Sequence, residues 1–443
     1  MKKSKISLFS LAWPIFIETI LFMFLGFIDV FVLSKYDPLA ASAAQISNQA
    51  ISVFTLVFTV ISGASAVLIS QALGANDKEK ASRVAAISIT FNFLIGIIVS
   101  VCISVFSYDI LSLIGADDKT LEFAHQYLVI VGFFLFTQAL LNAIAVIIRN
   151  HGKTKTCMYV TIIMNILNTF LDVAFVLGVF GFPKLGLEGV AIATSFSRVV
   201  GLIILIIVLF KTIEKPSIFK LLKPFPKKDF IAILKIGVPS AFETFNYNLS
   251  QIVVTSVVLY NLTSVELITK TYVSNAVMFL YVFSVAIGQA SQILVGHKVG
   301  AKEYDKAHKQ GLKAFKIALA ISITLSLLAV VFSKQVMSIF TQDVQVIMLG
   351  STLLMINVFV EIGRTSNIVL ISSMRGAGDV IFPTVVALFS MWLISTLGSY
   401  VLAVEFSLGL IGLWIAFASD ECLRGLLMLI RWNKGKWRNK RIE

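Results

Sequence analysis

Runs of more than about 18 predominantly apolar residues recur along the whole of this 443-residue chain, and a run of that length crosses a bilayer as a helix. Within hydrocarbon every backbone N–H and C=O must find a partner inside the protein, which leaves helices or a closed barrel, and runs this long are helices. Twelve are read, centred roughly on residues 21, 60, 95, 134, 168, 198, 245, 283, 321, 359, 392 and 420. An apolar content of 58%, with 14% charged residues, excludes an ordinary soluble domain. The expected class is an all-α membrane protein with twelve transmembrane helices.

The chain is also written twice. Pro14-Ile15-Phe16-Ile17-Glu18-Thr19 returns as Pro239-Ser240-Ala241-Phe242-Glu243-Thr244, an offset of 225. Gly74-Ala75 returns as Gly300-Ala301, and Arg149 with Gly152 as Arg375 with Gly378, at 226. Leu185-Gly186-Leu187 returns as Leu408-Gly409-Leu410, at 223. Six spans per copy is an even number, so both copies start from the same side and the repeats are parallel. Two six-helix repeats around a central cleft are therefore expected. Residues 1–210 would form the N-terminal lobe (helices 1–6) and 211–229 a cytoplasmic linker rich in proline and charge. Residues 230–433 would form the C-terminal lobe (helices 7–12), with 434–443 a basic cytoplasmic tail.

The net charge of +13 suggests nucleic acid until the charges are located. Of 37 lysines and arginines, 29 fall on the side of the two termini, and Lys35, Lys119, Lys184, Lys270 and Lys334 fall on the other. Arg198, Arg364 and Arg424 lie inside predicted helices. This positive-inside distribution puts both termini in the cytoplasm, facing anionic lipid heads. Lys2, Lys3 and Lys5 precede a stretch too long for a signal-peptide core, so the first helix is read as uncleaved. Cys102, Cys157 and Cys422 lack ligand spacing. With no catalytic triad, phosphate loop or metal cluster, an enzyme is not expected, nor any cofactor beyond a coupling ion.

An ionisable group inside a span costs about 2.5 kcal/mol or more and needs a reason. Asp29 lies in the first span, and Asn165, Asn168 and Asp172 lie in the fifth at i, i+3, i+7, on one helical face. Thr194 lies at similar depth in the sixth. The second copy has Val254, Met391, Ile394, Gly398 and Phe417 at the corresponding places, so the shared fold does not require the polar five. Carboxylates, amide oxygens and a hydroxyl suit a small alkali cation, with Na⁺ held by Asp29, Asn168, Asp172 and Thr194. The two carboxyls could equally share one proton. The bland alternative is a polar network that tightens helix packing. Glu18 and Glu243 occur in both copies, near the bilayer midplane. They either face the cleft as a substrate-attracting pair or pack inside their lobes as protonated groups bonded to backbone. Glu361 with Arg364, and Asp420 and Glu421 with Arg424, have the spacing of pairs that neutralise themselves on one helix.

Pro14-x-x-x-Glu18 running into Gly26-x-x-Asp29, Asn168-x-x-x-Asp172, Gly186 to Thr194, Arg375-Gly376-x-Gly378-Asp379 and Asp420-Glu421-x-x-Arg424-Gly425 resemble the multidrug and toxic compound extrusion (MATE) family, bacterial type. The likeness covers essentially the whole chain. It implies a cation-coupled antiporter, driven by H⁺ or Na⁺, that exports amphipathic cationic drugs or toxic compounds. The family's first-lobe cation site matches Asp29, Asn168, Asp172 and Thr194. It further implies small-molecule substrates and lipid as partners, no nucleic acid, a monomer, and a bacterial cytoplasmic membrane. A flippase for a lipid-linked saccharide, in the same superfamily, is the competing expectation.

Overall fold

The computed structural model describes residues 7–114 and 118–440, apart from the side chains of residues 35, 118 and 119. Lys2, Lys3 and Lys5, and the side chains of Lys35 and Lys119, which enter the charge asymmetry, lie outside the described residues. The rest is helix and connector, with no strand among the described residues. In chain order come α1 (Leu8–Tyr36), α2 (Pro38–Gly74), α3 (Lys78–Val105), the short α4 (Ser107–Ile114), α5 (Asp118–Phe133), α6 (Leu135–Asn150), α7 (Thr154–Leu177) and α8 (Gly186–Thr212). They are followed by α9 (Lys227–Asn261), α10 (Ser264–Gly300), α11 (Tyr304–Val331), the short α12 (Ser333–Ser338), α13 (Val344–Ala377), α14 (Ile381–Ser390), α15 (Leu397–Tyr400) and α16 (Gly409–Asn433).

Among the described residues nine helices are long and apolar enough to cross a membrane, and α5 with α6, bent by 45°, makes a tenth span. The nine include a span from Ile381 to Glu405, in which α14 and α15 alternate with π-helical turns at Met391–Thr396 and Val401–Glu405. The two remaining expected spans are α9 and α16. Both are long enough, at 35 and 25 residues, but both are unusually polar. Glu243, Asn246, Asn248 and Gln251 interrupt α9, while Asp420, Glu421 and Arg424 interrupt α16.

The chain divides into two compact units, the first comprising Trp13–Leu73 and Asp77–Gly237, the second Ser7–Ala12, Gly74–Asn76 and Val238–Glu443. The first unit has a core of Leu33, Phe58, Ile103, Leu128 and Val190, with a run of buried alanines (Ala40, Ala43, Ala44) on α2. Small residues let membrane helices approach closely, where dispersion contacts do the stabilising. The second unit packs Val254, Val277, Leu353, Leu413 and Trp414 together.

The connector between the repeats is fastened to the first unit. Ser82 on α3 donates to both oxygens of Glu214, at 2.9 and 2.8 Å, and Arg83 holds Asp229 at 2.8 Å. Burial pushes the Glu214 carboxyl above its ordinary range, against the lowering effect of its Ser82 bonds. In the second unit Arg431 holds Asp379 through two bonds, at 2.8 and 3.1 Å, tying the end of α16 to the turn after α13.

Candidate functional site

Four of the five first-lobe candidates meet in one buried cluster. Asn168 is its centre. Oriented so that every neighbour is satisfied, its amide nitrogen donates to Asp29 Oδ1 at 3.2 Å and Asp172 Oδ2 at 3.1 Å. Its oxygen accepts from the Thr194 hydroxyl at 3.3 Å and the Thr194 backbone N–H at 3.2 Å. Asp29 comes from α1, Asn168 and Asp172 from one face of α7, and Thr194 from α8, so one amide joins three helices. All four residues are buried. The two carboxyls thus share the Asn168 amide nitrogen as their common donor. Asn165 stands apart: its amide nitrogen donates to the Thr161 carbonyl of its own helix at 2.9 Å. The i, i+3 spacing put its Cα on the right face but could not say where its donors would go.

Two residues of this cluster were not singled out from sequence. Tyr127 on α5 is fully buried, within electrostatic reach of Asp29, Asp172 and Arg198, and donates to Asn48 Oδ1 at 3.4 Å. A tyrosine inside an apolar span reads as core and gives no signal. Arg198 sits one turn along α8 from Thr194, within electrostatic reach of Asp29 and Tyr127, and makes no ion pair with a carboxylate among the described residues. It did leave a signal, because an unassigned arginine inside a span, four residues from a candidate ligand, demands a counter-charge.

Glu18 and Glu243 are each paired with an arginine of their own unit. Arg149 Nη2 lies 3.4 Å from Glu18 Oε1, and Arg375 Nη2 lies 2.8 Å from Glu243 Oε2, where Thr384 also donates at 3.3 Å. Both acids pair with arginine rather than with backbone; Glu18 is buried, whereas Glu243 is half-buried and lines a cavity of the second unit. Both members of each pair recur at nearly one offset, and that joint recurrence is the signal that links them across about 130 residues.

The second unit holds a separate charged cavity of about 540 Å³. Its same-helix pairs form as their spacing predicts, Arg364 to Glu361 at 2.6 Å and Arg424 to Asp420 at 2.8 Å. They also reach across helices. Glu421 Oε1 faces Arg424 at 3.0 Å and Arg364 at 3.8 Å, Glu421 Oε2 accepts from Asn367 at 3.0 Å, and Ser390 donates to Asp420. The groups read as self-neutralising on single helices thus form one network joining α13, α14 and α16.

Comparison with known proteins agrees with this architecture. The family described as MatE matches residues 14–174 and again 239–401, once in each repeat. The chain is 39% identical over 434 residues to a protein named Uncharacterized transporter YisQ of Bacillus subtilis (strain 168), covering 98% of this chain and 95% of that one. It is 28% identical over 444 residues to a Probable multidrug resistance protein NorM of Thermotoga maritima, covering 98% and 93%. A crystal structure titled as MATE in the bent conformation superposes with a TM-score of 0.88 at 19% identity, over 97% of this chain and 95% of that one. Members of this family are transporters rather than enzymes. With matches in both repeats and a relative along nearly its whole length, this chain belongs to the MatE family and is a bacterial MATE transporter.

Proposed function

We propose that the chain is a proton-coupled antiporter that exports amphipathic cationic compounds across the bacterial cytoplasmic membrane, with both termini inside. The excess of lysine and arginine on the side of the termini supports that orientation. Drug efflux accords with the multidrug-resistance relatives of the family.

The observation that carries the choice of ion is how Asn168 is used. An alkali cation needs several oxygen ligands converging on one point. Here the amide oxygen is committed to two donors from Thr194, and the N–H end faces the carboxyls. An incoming Na⁺ would meet the positive end of that dipole, and binding would require the amide to turn, giving up its bonds to both carboxyls and to the Thr194 backbone N–H and keeping only a bond to the Thr194 hydroxyl, at 3.3 Å. A proton needs only the two acids, which then share it.

Exchange works only if proton and substrate prefer different conformations, since a ligand with equal affinity for both shifts nothing. Adding a second proton to Asp29 and Asp172 removes the negative charge that holds the Asn168 amide. That loosens the junction of α1, α7 and α8 while the second unit, with no such junction, is not directly affected. The test is substrate-stimulated ion flux in liposomes. A pH gradient should drive uptake of rhodamine 123 into inverted vesicles and a sodium gradient should not. Asp29→Asn and Asp172→Asn should each abolish the flux while the protein stays folded in the membrane. Sodium-driven flux at clamped pH would refute proton coupling.

A further inference from the structure

The acid–arginine pair Glu18–Arg149 recurs in the second copy as Glu243–Arg375, but what lies between it and the outer acids does not recur. On α7 Cys157, Thr161, Asn165, Asn168 and Asp172 fall at i, i+4, i+8, i+11 and i+15, a stripe about 80° wide on one helical face. All five are buried. The second copy has Pro383, Ala387, Met391, Ile394 and Gly398 at those places, at the offset of 226, so the shared fold does not call for a polar stripe there.

One end of the stripe is Asp172, in the cluster with Asn168 and Asp29. The other end is a small cavity of about 30 Å³, whose lining includes Glu18, Gln138, Asn142, Arg149, Cys157 and Thr161. That is room for one water with several polar partners. Glu18 and Asp29 are eleven residues apart on α1, so they share a face and stand about 16 Å apart along the helix. Arg149 is one residue from the end of α6, so the cavity lies nearer the side of the termini than the outer acids do. Glu18 is 5% exposed; Arg149 holds its Oε1, and its Oε2 has no hydrogen-bonding partner among the described residues. A buried carboxylate oxygen in that condition marks an unfilled requirement, here at a cavity of the size that a water fills. Ionisable groups within spans mark ion and proton pathways, and one stands at each end of this buried polar line.

We infer that Glu18 is the inner station of the proton path. The proton held by Asp29 and Asp172 passes along the polar face of α7. The Glu18 carboxylate takes it up through a water bound in the small cavity, and it leaves to the cytoplasm beside Arg149. Only the proton is exchanged: one carboxyl loses it, the other gains it, and its departure restores the Glu18–Arg149 ion pair. The stripe is interrupted at Asn165, whose amide nitrogen is engaged by the Thr161 carbonyl of its own helix at 2.9 Å. An antiporter needs such a break, since a lobe conducting protons from both ends at once would dissipate the gradient. Resting on the proton-antiport reading, this assignment adds the point at which the proton is released.

The test is proton flux stimulated by rhodamine 123, with the full-length protein in liposomes, read by an entrapped pH dye in ordinary and in heavy water. Glu18→Gln keeps the size of the side chain but cannot take up the proton, and should lower flux by about tenfold or more. Glu18→Asp keeps a carboxyl but sets it back from the cavity, and Thr161→Val removes one hydroxyl without changing size or charge. Both should slow flux by roughly threefold to tenfold and raise its solvent isotope effect above the wild-type value, because proton transfer becomes the slowest step. A purely structural role for Glu18 would lower the rate and leave the isotope effect where it is. Unchanged flux in Glu18→Gln would overturn the relay, as would isotope effects equal to wild type in both Glu18→Asp and Thr161→Val. If Glu18→Gln does not fold in the membrane, Thr161→Val decides alone. Absence of proton flux in wild type would sink the antiport reading itself and the relay with it, whereas normal wild-type flux with an indifferent Glu18→Gln sinks the relay only.

Discussion

At Asn168 the two ends of one amide are committed in opposite directions, nitrogen to Asp29 and Asp172, oxygen to Thr194. Arg198 adds a fixed positive charge nearby without bonding to either acid. Arg198→Gln should lower substrate-driven proton flux by roughly tenfold or more in a folded protein, because it leaves the buried acids without that charge, while Arg198→Lys should keep flux near wild type. Wild-type flux in a folded Arg198→Gln variant would show that the arginine serves packing alone. The acids and their amide were legible in the sequence because the second copy provided a control: Val254, Ile394 and Gly398 stand where Asp29, Asn168 and Asp172 do. Tyr127 was not legible, since burial of a tyrosine in an apolar span carries no mark of its neighbours. Asn165 misled for a related reason, because helical periodicity fixes a face and leaves the side chain's hydrogen bonds undetermined.

The elements themselves were read well wherever hydrophobicity alone decides. Among the described residues up to ten spans satisfy length and apolarity, and α9 and α16 fall short through their polar residues, of which Glu243, Gln251, Asp420, Glu421 and Arg424 line the second-lobe cavity. The repeat still identified both, because Pro239 to Thr244 and Leu408 to Gly412 align with the starts of α1 and α8. The π-helical turns at Met391–Thr396 and Val401–Glu405 were not foreseeable, since one extra residue per turn leaves no pattern in an apolar run. The contact of α13 with α16 depends on Gly363, where a Cβ would collide with the backbone of Glu421 and Cys422. Gly363→Val should therefore push the two helices apart, costing about 1–3 kcal/mol. Gly398 is the contrast, because its added Cβ would meet only the Ala416 methyl at 3.6 Å. Gly398→Ala should leave stability unchanged or raise it by up to about 1 kcal/mol. Thermal unfolding in detergent compares the two, and equal melting temperatures would contradict the close-approach role of Gly363.

For the whole molecule, a duplicated six-span unit has diverged so that each copy keeps charges the other lacks. Single cysteines at Lys227 and Lys334, both exposed, test the orientation in intact cells. Impermeant maleimide should label position 334 and spare position 227 until the membrane is opened, and the reverse would invert the topology. The central claim is that the buried first-lobe carboxyls are where the driving proton resides. Infrared difference spectroscopy across a pH step reads it most directly, through the carbonyl stretch of protonated carboxyl groups. Wild type should show a buried carboxylic-acid band that appears on acidification and is indifferent to Na⁺. Asp29→Asn and Asp172→Asn should each remove or shift that band, while Glu421→Gln should leave it in place. A band untouched by both aspartate variants, or one displaced by Na⁺ at constant pH, would contradict a proton shared between Asp29 and Asp172.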